Sequence, residues 1–154
     1  MLFSYHGLPE QQIRKSETVT GHCLAPEDSC CMEYGAKNAF CYRAQCFTTT
    51  RLLVQGLGLE PQSFSMSFQS RLGRAAWIRP YTDETLTLLA KRGVRHLAVF
   101  TPSFVADCLE TLEEIGIRGA QVFRAAGGER LDLIPAPNAS DAWVQAAALI
   151  VKNR

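Results

Sequence analysis

Five of the six cysteines lie between Cys23 and Cys46, spaced Cys23-x6-Cys30-Cys31-x9-Cys41-x4-Cys46. Thiolates are soft ligands, and a set of four suits either an iron–sulfur cluster or structural zinc. Zinc also accepts three thiolates and an imidazole, so His22 keeps that ion open and spacing alone does not decide. Adjacent side chains point apart along an extended chain, so only one of Cys30 and Cys31 is expected to bind, giving four ligands from five candidates. The alternatives are a disulfide framework or a set of free thiols. A disulfide framework suits an exported chain, but Met1-Leu2-Phe3 lacks the charged and apolar regions of an export signal. A cytoplasmic, reducing address is therefore expected, where clustered cysteines more often hold metal. Free thiols would leave about thirty residues, roughly 10 to 40, with nothing to order them.

The elements that must position these groups alternate along the chain. Met1 to Tyr5 reads as a strand that begins abruptly, as in a chain cut from a longer parent. Gly7 to Asn38 has no sustained period and reads as one long loop. Apolar and small residues recur at helical spacing from Tyr42 to Gln55, with a stop at Gly56-Leu57-Gly58. Cys41 and Cys46 bracket that helix's start, where unpaired N–H groups favour thiolates. Ser63 to Phe68 reads as a strand, Gln69 to Tyr81 as a loop, and Thr82-Asp83-Glu84 as the hydroxyl-capped start of a helix ending near Gly93. His96 to Phe100 is a short apolar strand. A helix from Phe104 to Ile115, a strand at Ala120 to Phe123, a Gly127-Gly128 loop and a helix from Asp141 to Lys152 complete the pattern. This alternation predicts one α/β domain over 1–154, a three-layer sandwich with a parallel four-stranded sheet and helices on both faces. Ligands of such sheets bind beyond the carboxyl ends of the strands, where His6, Gln69 to Tyr81 and Pro102 to Glu110 all fall.

Composition narrows the ligand. The 154 residues carry a formal charge of +1 with no long like-charge block, so no footprint for nucleic acid appears. No apolar run approaches the roughly eighteen residues that span a bilayer. Small molecules and metals are the expected partners.

Four ordered motifs carry a resemblance. Ser4-Tyr5-His6-Gly7-Leu8-Pro9, Ser67-Phe68-Gln69-Ser70-Arg71, Trp77-Ile78-Arg79-Pro80-Tyr81-Thr82-Asp83-Glu84-Thr85 and Phe104-Val105-Ala106-Asp107-Cys108-Leu109-Glu110-Thr111-Leu112 resemble ferrochelatase motifs, as do Ala126-Gly127-Gly128 and Ile134-Pro135-Ala136-Pro137-Asn138. The resemblance implies insertion of Fe2+ into protoporphyrin IX, to form protohaem in haem biosynthesis. It implies two similar α/β halves around the porphyrin, of which this chain is the C-terminal one, inactive without the missing N-terminal half. It places the essential histidine at His6 and the essential acid at Glu110, both handling substrate Fe2+, with Asp107 either extending the proton path or merely starting a helix. Trp77 and Tyr81 would line the disc, and Gln69, Ser70 and Arg71 would shape its rim. Cys108, where the family sometimes has histidine, reads as a small buried hydrophobe. Phe104 and Leu109 read as core, His96 as structural, and Glu113 and Glu114 as a solvated helix face.

Ordinary family members are similar only from about Cys41 onward, so the cysteine-rich stretch reads as an insertion, and some bacterial members carry a [2Fe–2S] cluster. The resemblance therefore favours that cluster over Zn2+ as cofactor. Similar enzymes without the insertion can have cysteine at position 46, which makes Cys23 nearly indispensable to a four-ligand set. Two other functions fit the residues: a non-catalytic metal- or tetrapyrrole-binding or redox-sensing module, and a chelatase for another tetrapyrrole and metal. Peripheral membrane contact of the parent stays open.

Overall fold

Alternate residues of the first strand feed two separate cores. The computed structural model describes residues 1–24 and 26–153, with only the backbone of 26–28, so residues 25 and 154 of the expected domain lie outside the described residues. In β1 (Leu2–His6), Phe3 and Tyr5 point into a core with Ile13, Ala44, Phe68 and Ile78, whereas Leu2 joins Leu86, Ala90, Leu97, Val99, Ile115 and Phe123 on the other side. A strand's period of two produces this division only when both sheet faces are covered. Burying a side chain such as Phe3, Ile13, Leu86 or Val99 contributes roughly 1.5–3 kcal/mol.

The sheet is parallel, ordered β2-β1-β3-β4, with β2 at Ser65–Gln69, β3 at His96–Phe100 and β4 at Arg130–Leu133. The first face carries α1 (Glu10–Lys15) and α2 (Tyr42–Leu57). The second carries α3 (Thr82–Lys91) and a long composite helix. That helix opens as α4 (Leu109–Thr111), widens to π geometry over Leu112–Gly119 and returns to α geometry as α5 (Ala120–Ala125). The final helix, α6 (Asp141–Lys152), buries none of its residues. Among the described residues no helix is long and apolar enough to cross a membrane.

The three-layer α/β expectation holds, and four local expectations do not. The loop expected over 7–38 contains α1 and a 3-10 helix at Pro26–Cys31. Within its six residues α1 buries only Ile13, too little to register as a period. Thr82 does not cap α3: its hydroxyl is buried and bonds to Ser4 and Ser67 at 2.9 and 2.8 Å, tying the helix to β1 and β2. The helix expected from Phe104 starts at Leu109 and runs on through the residues expected to form the last strand, 120–123. An apolar pair such as Val122-Phe123 suits a buried helix as well as a strand. Gly116 and Gly119 lie inside the helix, where a Cβ would meet Leu133 at 3.4 Å and Leu86 at 3.3 Å, so they admit close packing. Finally, Leu109 is exposed rather than core, while His96, read as structural, is exposed and pairs with Glu129 at 3.2 Å.

One turn has no room for any side chain. A Cβ on Gly128 would lie 2.3 Å from Cε1 of the fully buried Phe123. Gly128→Ala is expected to lower the unfolding free energy by about 2–3 kcal/mol, within the usual range for overpacking, as read by urea denaturation. Gly35→Ala, in open space, is the control. Equal stability of the two variants would contradict the packing argument.

Candidate functional site

The carboxyl ends of β1 and β2 lie side by side because Tyr5 is in register with Phe68 and His6 with Gln69. His6 is the last residue of β1, and groups outside the sheet hold its backbone. Its N–H donates to Ser103 Oγ at 3.0 Å, and its carbonyl accepts from the Tyr42 hydroxyl at 2.8 Å. Its Nδ1 lies 2.6 Å from the Gly7 carbonyl oxygen. A carbonyl only accepts, so Nδ1 carries the proton of the neutral ring and Nε2 presents a lone pair. The rings of Trp77 and Phe104 flank the imidazole at centroid distances of 6.4 and 6.1 Å. Phe104 therefore borders the site instead of packing the core.

Glu110 reaches the same edge from α4. Gln69 Nε2 donates to the Glu110 carbonyl at 2.6 Å, so the residue in register with His6 also holds the helix's first turn. The Glu110 carboxyl is held below the ordinary carboxylate range, first by a hydrogen bond with the Cys108 thiol, then by its own backbone N–H and the nearby His6 ring. Cys108 is half-buried beside this carboxylate. Asp107 is also held low, chiefly by Asn138 Nδ2 at 2.8 Å and the Ala136 N–H at 3.2 Å, with the Thr111 hydroxyl adding to them. Both Asp107 oxygens thus anchor the 136–138 loop to the helix start.

Glu114 faces inward, contrary to its reading as part of a solvated face. Its carboxylate accepts from Ser70 N–H at 2.7 Å, Ser70 Oγ at 2.6 Å and Gln69 Nε2 at 3.2 Å. Ser70 holds a left-handed backbone, φ 66°, a strained conformation offset by these charge-assisted bonds. The four-residue spacing of Glu110 and Glu114 was the available signal. The π segment that carries Glu114 left no trace in the sequence. Gln69, Ser70, Arg71, Glu114 and Arg118 help to line a cleft of about 220 Å³ beside this edge.

The remaining candidates divide. Trp77 donates from Nε1 to the Leu72 carbonyl at 3.0 Å and stands against Gly7, where a Cβ would meet its ring at 3.2 Å. Leu72 and Leu109, 80% and 76% exposed, leave apolar surface around the edge. Tyr81 is buried, with the guanidinium carbons of Arg71 and Arg79 each 4.1 Å from its ring centroid, so its ring orients two arginines. Arg71 also pairs with Asp83 at 2.6 Å.

All five clustered cysteines are buried in the core shared by Phe3 and Ile13. Cys30 Sγ and Cys31 Sγ are 3.8 Å apart, and Arg43 Nη1 lies 3.5 Å from Cys31 Sγ. Burial pushes the thiols of Cys23, Cys31 and Cys46 up to about 12; a hydrogen bond with Cys41 adds to the shift at Cys23, while Arg43 opposes it at Cys31. Among the described residues no three His, Cys, Asp or Glu side chains are arranged to bind one ion as they stand. The five are free thiols buried together, the soft donor type that zinc and iron–sulfur centres take. Seating an ion would require the sulfurs to converge and lose protons.

A sequence profile of the ferrochelatase family matches residues 1–154. The chain belongs to the ferrochelatase family. It is 51% identical over 152 residues to a ferrochelatase of Bdellovibrio bacteriovorus, covering 99% of this chain and 44% of that protein. It is 50% identical over 153 residues to a ferrochelatase of Pseudomonas fluorescens, covering 99% of this chain and 45% of the relative. Identity with a ferrochelatase of Coxiella burnetii is 50% over 152 residues, with 99% and 42% covered. The chain thus spans less than half the length of these curated ferrochelatases.

Proposed function

We propose that this chain forms the C-terminal half of a ferrochelatase and supplies the proton-accepting edge at which Fe2+ enters protoporphyrin IX. One observation carries the proposal: Gln69 sits in register with His6 and bonds the backbone of Glu110, so an imidazole and a carboxylate share one sheet edge. Metallation needs two pyrrole N–H protons to leave while the hydrated ion sheds water. Nε2 of His6 offers a lone pair for either a proton or the substrate metal. Glu110, a carboxylate lowered first by its hydrogen bond with Cys108, offers the second acceptor. Glu114, held by Gln69 and Ser70, can take a proton onward from Glu110, one helical turn away. Trp77, Leu72 and Leu109 suit the apolar disc, and the arginines stacked on Tyr81 suit its propionates.

His6, Glu110 and Trp77 do not line the cleft of about 220 Å³ beside them; they stand at an open sheet edge, so a disc buried as small ligands usually are needs a second wall. An N-terminal half would provide it. The greater length of the relatives and the exposed Val144, Leu149, Ile150 and Val151 of α6 support that partner. A [2Fe–2S] cluster, with Zn2+ as the alternative, would be held by four of Cys23, Cys30, Cys31, Cys41 and Cys46. When bound, either group supplies free energy that orders the inserted segment. A cytoplasmic address for the enzyme, with peripheral membrane contact left open, completes this reading.

The chain's share of its relatives, 44% in the Bdellovibrio case, keeps one second reading in view: a module that binds porphyrin without metallating it. Porphyrin and ferrous iron are therefore titrated against this chain and against a protein of the relatives' full length. Turnover confined to the longer protein is the expected result. Tight porphyrin binding without turnover in both supports the second reading.

A further inference from the structure

Four buried polar side chains beneath the substrate edge can pass their hydrogen bonds in one direction only. The register pairs Ser4 with Ser67, and the strand period puts Gln69, the partner of His6, on the same face as both. Thr82, the first residue of α3, bonds to them from the helix side. Ser4 and Ser67 have no exposed surface, and Gln69 and Thr82 are 2% and 4% exposed, so these groups satisfy one another or go unpaired. A carbonyl and an ionised carboxylate accept and do not donate. The Gln69 nitrogen therefore faces the Glu110 carbonyl at 2.6 Å and the Glu114 carboxylate at 3.2 Å, which leaves its oxygen to accept from Ser4 Oγ at 2.8 Å. A hydroxyl has one proton to give. Ser4 gives its own to Gln69, so the 2.9 Å bond between Ser4 and Thr82 is donated by Thr82. Thr82 has then used its proton, and the 2.8 Å bond between Thr82 and Ser67 is donated by Ser67.

We infer that Ser4 is a positioning residue for metal insertion: it closes a one-way chain of hydroxyl protons, Ser67 to Thr82 to Ser4, on the Gln69 amide, and so fixes Glu110 beside His6. The inference rests on the proposed reading of His6 and Glu110 as the proton-accepting pair. Turning the Gln69 amide over would set oxygen against oxygen at both Glu110 and Glu114, and would require all three hydroxyls to reverse together. With the chain intact, both ends of the amide are held. Without the Ser4 hydroxyl, the oxygen end has no donor, and the first turn of α4 is tied to β2 through an amide anchored on one side. Glu114 keeps its two bonds from Ser70 whatever Gln69 does. Glu110 is therefore the acceptor that the chain governs.

Steady-state and single-turnover metallation are measured in a protein of the relatives' full length. Ser4→Ala is expected to lower kcat about tenfold with KM for porphyrin and iron nearly unchanged, less than the roughly hundredfold that 1 Å of misplacement can cost. Thr82→Val keeps the shape and loses the hydroxyl. It is expected to lower kcat by less, because Ser4 still reaches Gln69, and Thr82→Ser is expected to restore the wild-type value. Added to Gln69→Leu, which has no amide to hold, Ser4→Ala is expected to lower kcat no further. An unchanged kcat in Ser4→Ala overturns the inference. So does a loss of equal size with and without the Gln69 amide, because a packing role would persist there. His6→Ala is the reference: a wild-type rate in that variant removes the proposed reading, whereas a slow His6→Ala beside a fast Ser4→Ala removes the inference alone. If Ser4→Ala does not fold, nuclear Overhauser contacts in the wild-type chain decide. Gln69 amide protons close to residue 110 and a slowly exchanging Ser4 hydroxyl proton support the inference, and amide protons close to Ser4 Cβ overturn it.

Discussion

His6→Ala, made in a protein of the relatives' full length, is expected to slow iron insertion by about a hundredfold to ten-thousandfold, the range for a lost proton acceptor. It should leave the melting temperature close to that of the wild type. The structure separates the two effects. The bonds that hold residue 6 in place, from its N–H to Ser103 and from Tyr42 to its carbonyl, use the backbone and survive the substitution. The side chain itself is half-buried, at the tip of the strand. Glu110→Gln makes the companion argument: Gln69 holds the carbonyl of residue 110, so the helix start stays in place while the charge is lost. The Glu110 carboxyl is depressed, so it remains an acceptor down to a lower pH than an ordinary glutamate would. Any stability tied to its charge is present above the ordinary carboxylate range and is lost as pH falls through the depressed value. Single-turnover metallation rates beside thermal melts check both variants. A His6→Ala enzyme within tenfold of the wild-type rate would remove the imidazole from the mechanism.

How much of this was legible before coordinates depended on whether a signal was local. The parallel α/β order was readable because strands such as His96–Phe100 and helices such as Asp141–Lys152 announce themselves through their own residues. The convergence of His6 with Gln69 followed from the rule that parallel strands present their ligands at one end. What failed was non-local. Val122-Phe123 carries no mark distinguishing a buried helix from a strand, and only contact with Leu86 and Leu133 explains why glycines occupy 116 and 119. Glu114 looked solvated because its partners, Gln69 and Ser70, are more than forty positions away in sequence. Thr82 had the chemistry of a helix cap, and burial against Ser4 and Ser67 overrode it. Arg43 gave no hint at all, since an arginine in an amphipathic helix is ordinarily at the surface.

Cys23→Ser is expected to strip the pocket of metal and to abolish amide protection through roughly residues 10 to 40 while the sheet persists. Cys23 is buried and hydrogen-bonded with Cys41, so its loss takes one sulfur out of the centre of the pocket. Metal uptake by the wild type should also rise steeply with pH. Thiols pushed up to about 12 at Cys23, Cys31 and Cys46 are protonated near neutrality. Each one that becomes a ligand releases a proton, giving up to about tenfold in affinity per pH unit for every proton released. The same shift fixes the sign for the metal-free chain. Its raised thiols favour the folded pocket fully below about pH 9, the range of an unfolded cysteine, and that contribution is lost as pH climbs toward about 12. A loaded pocket has already given up those protons and should stay protected at pH 10, where the empty one opens. Amide exchange at pH 7 and 10 tests this, once spectra of anaerobically purified protein have told a paramagnetic reduced [2Fe–2S] centre from colourless zinc. Equal protection of the loaded and chelated pockets at both pH values would mean that the thiols order the segment by packing alone.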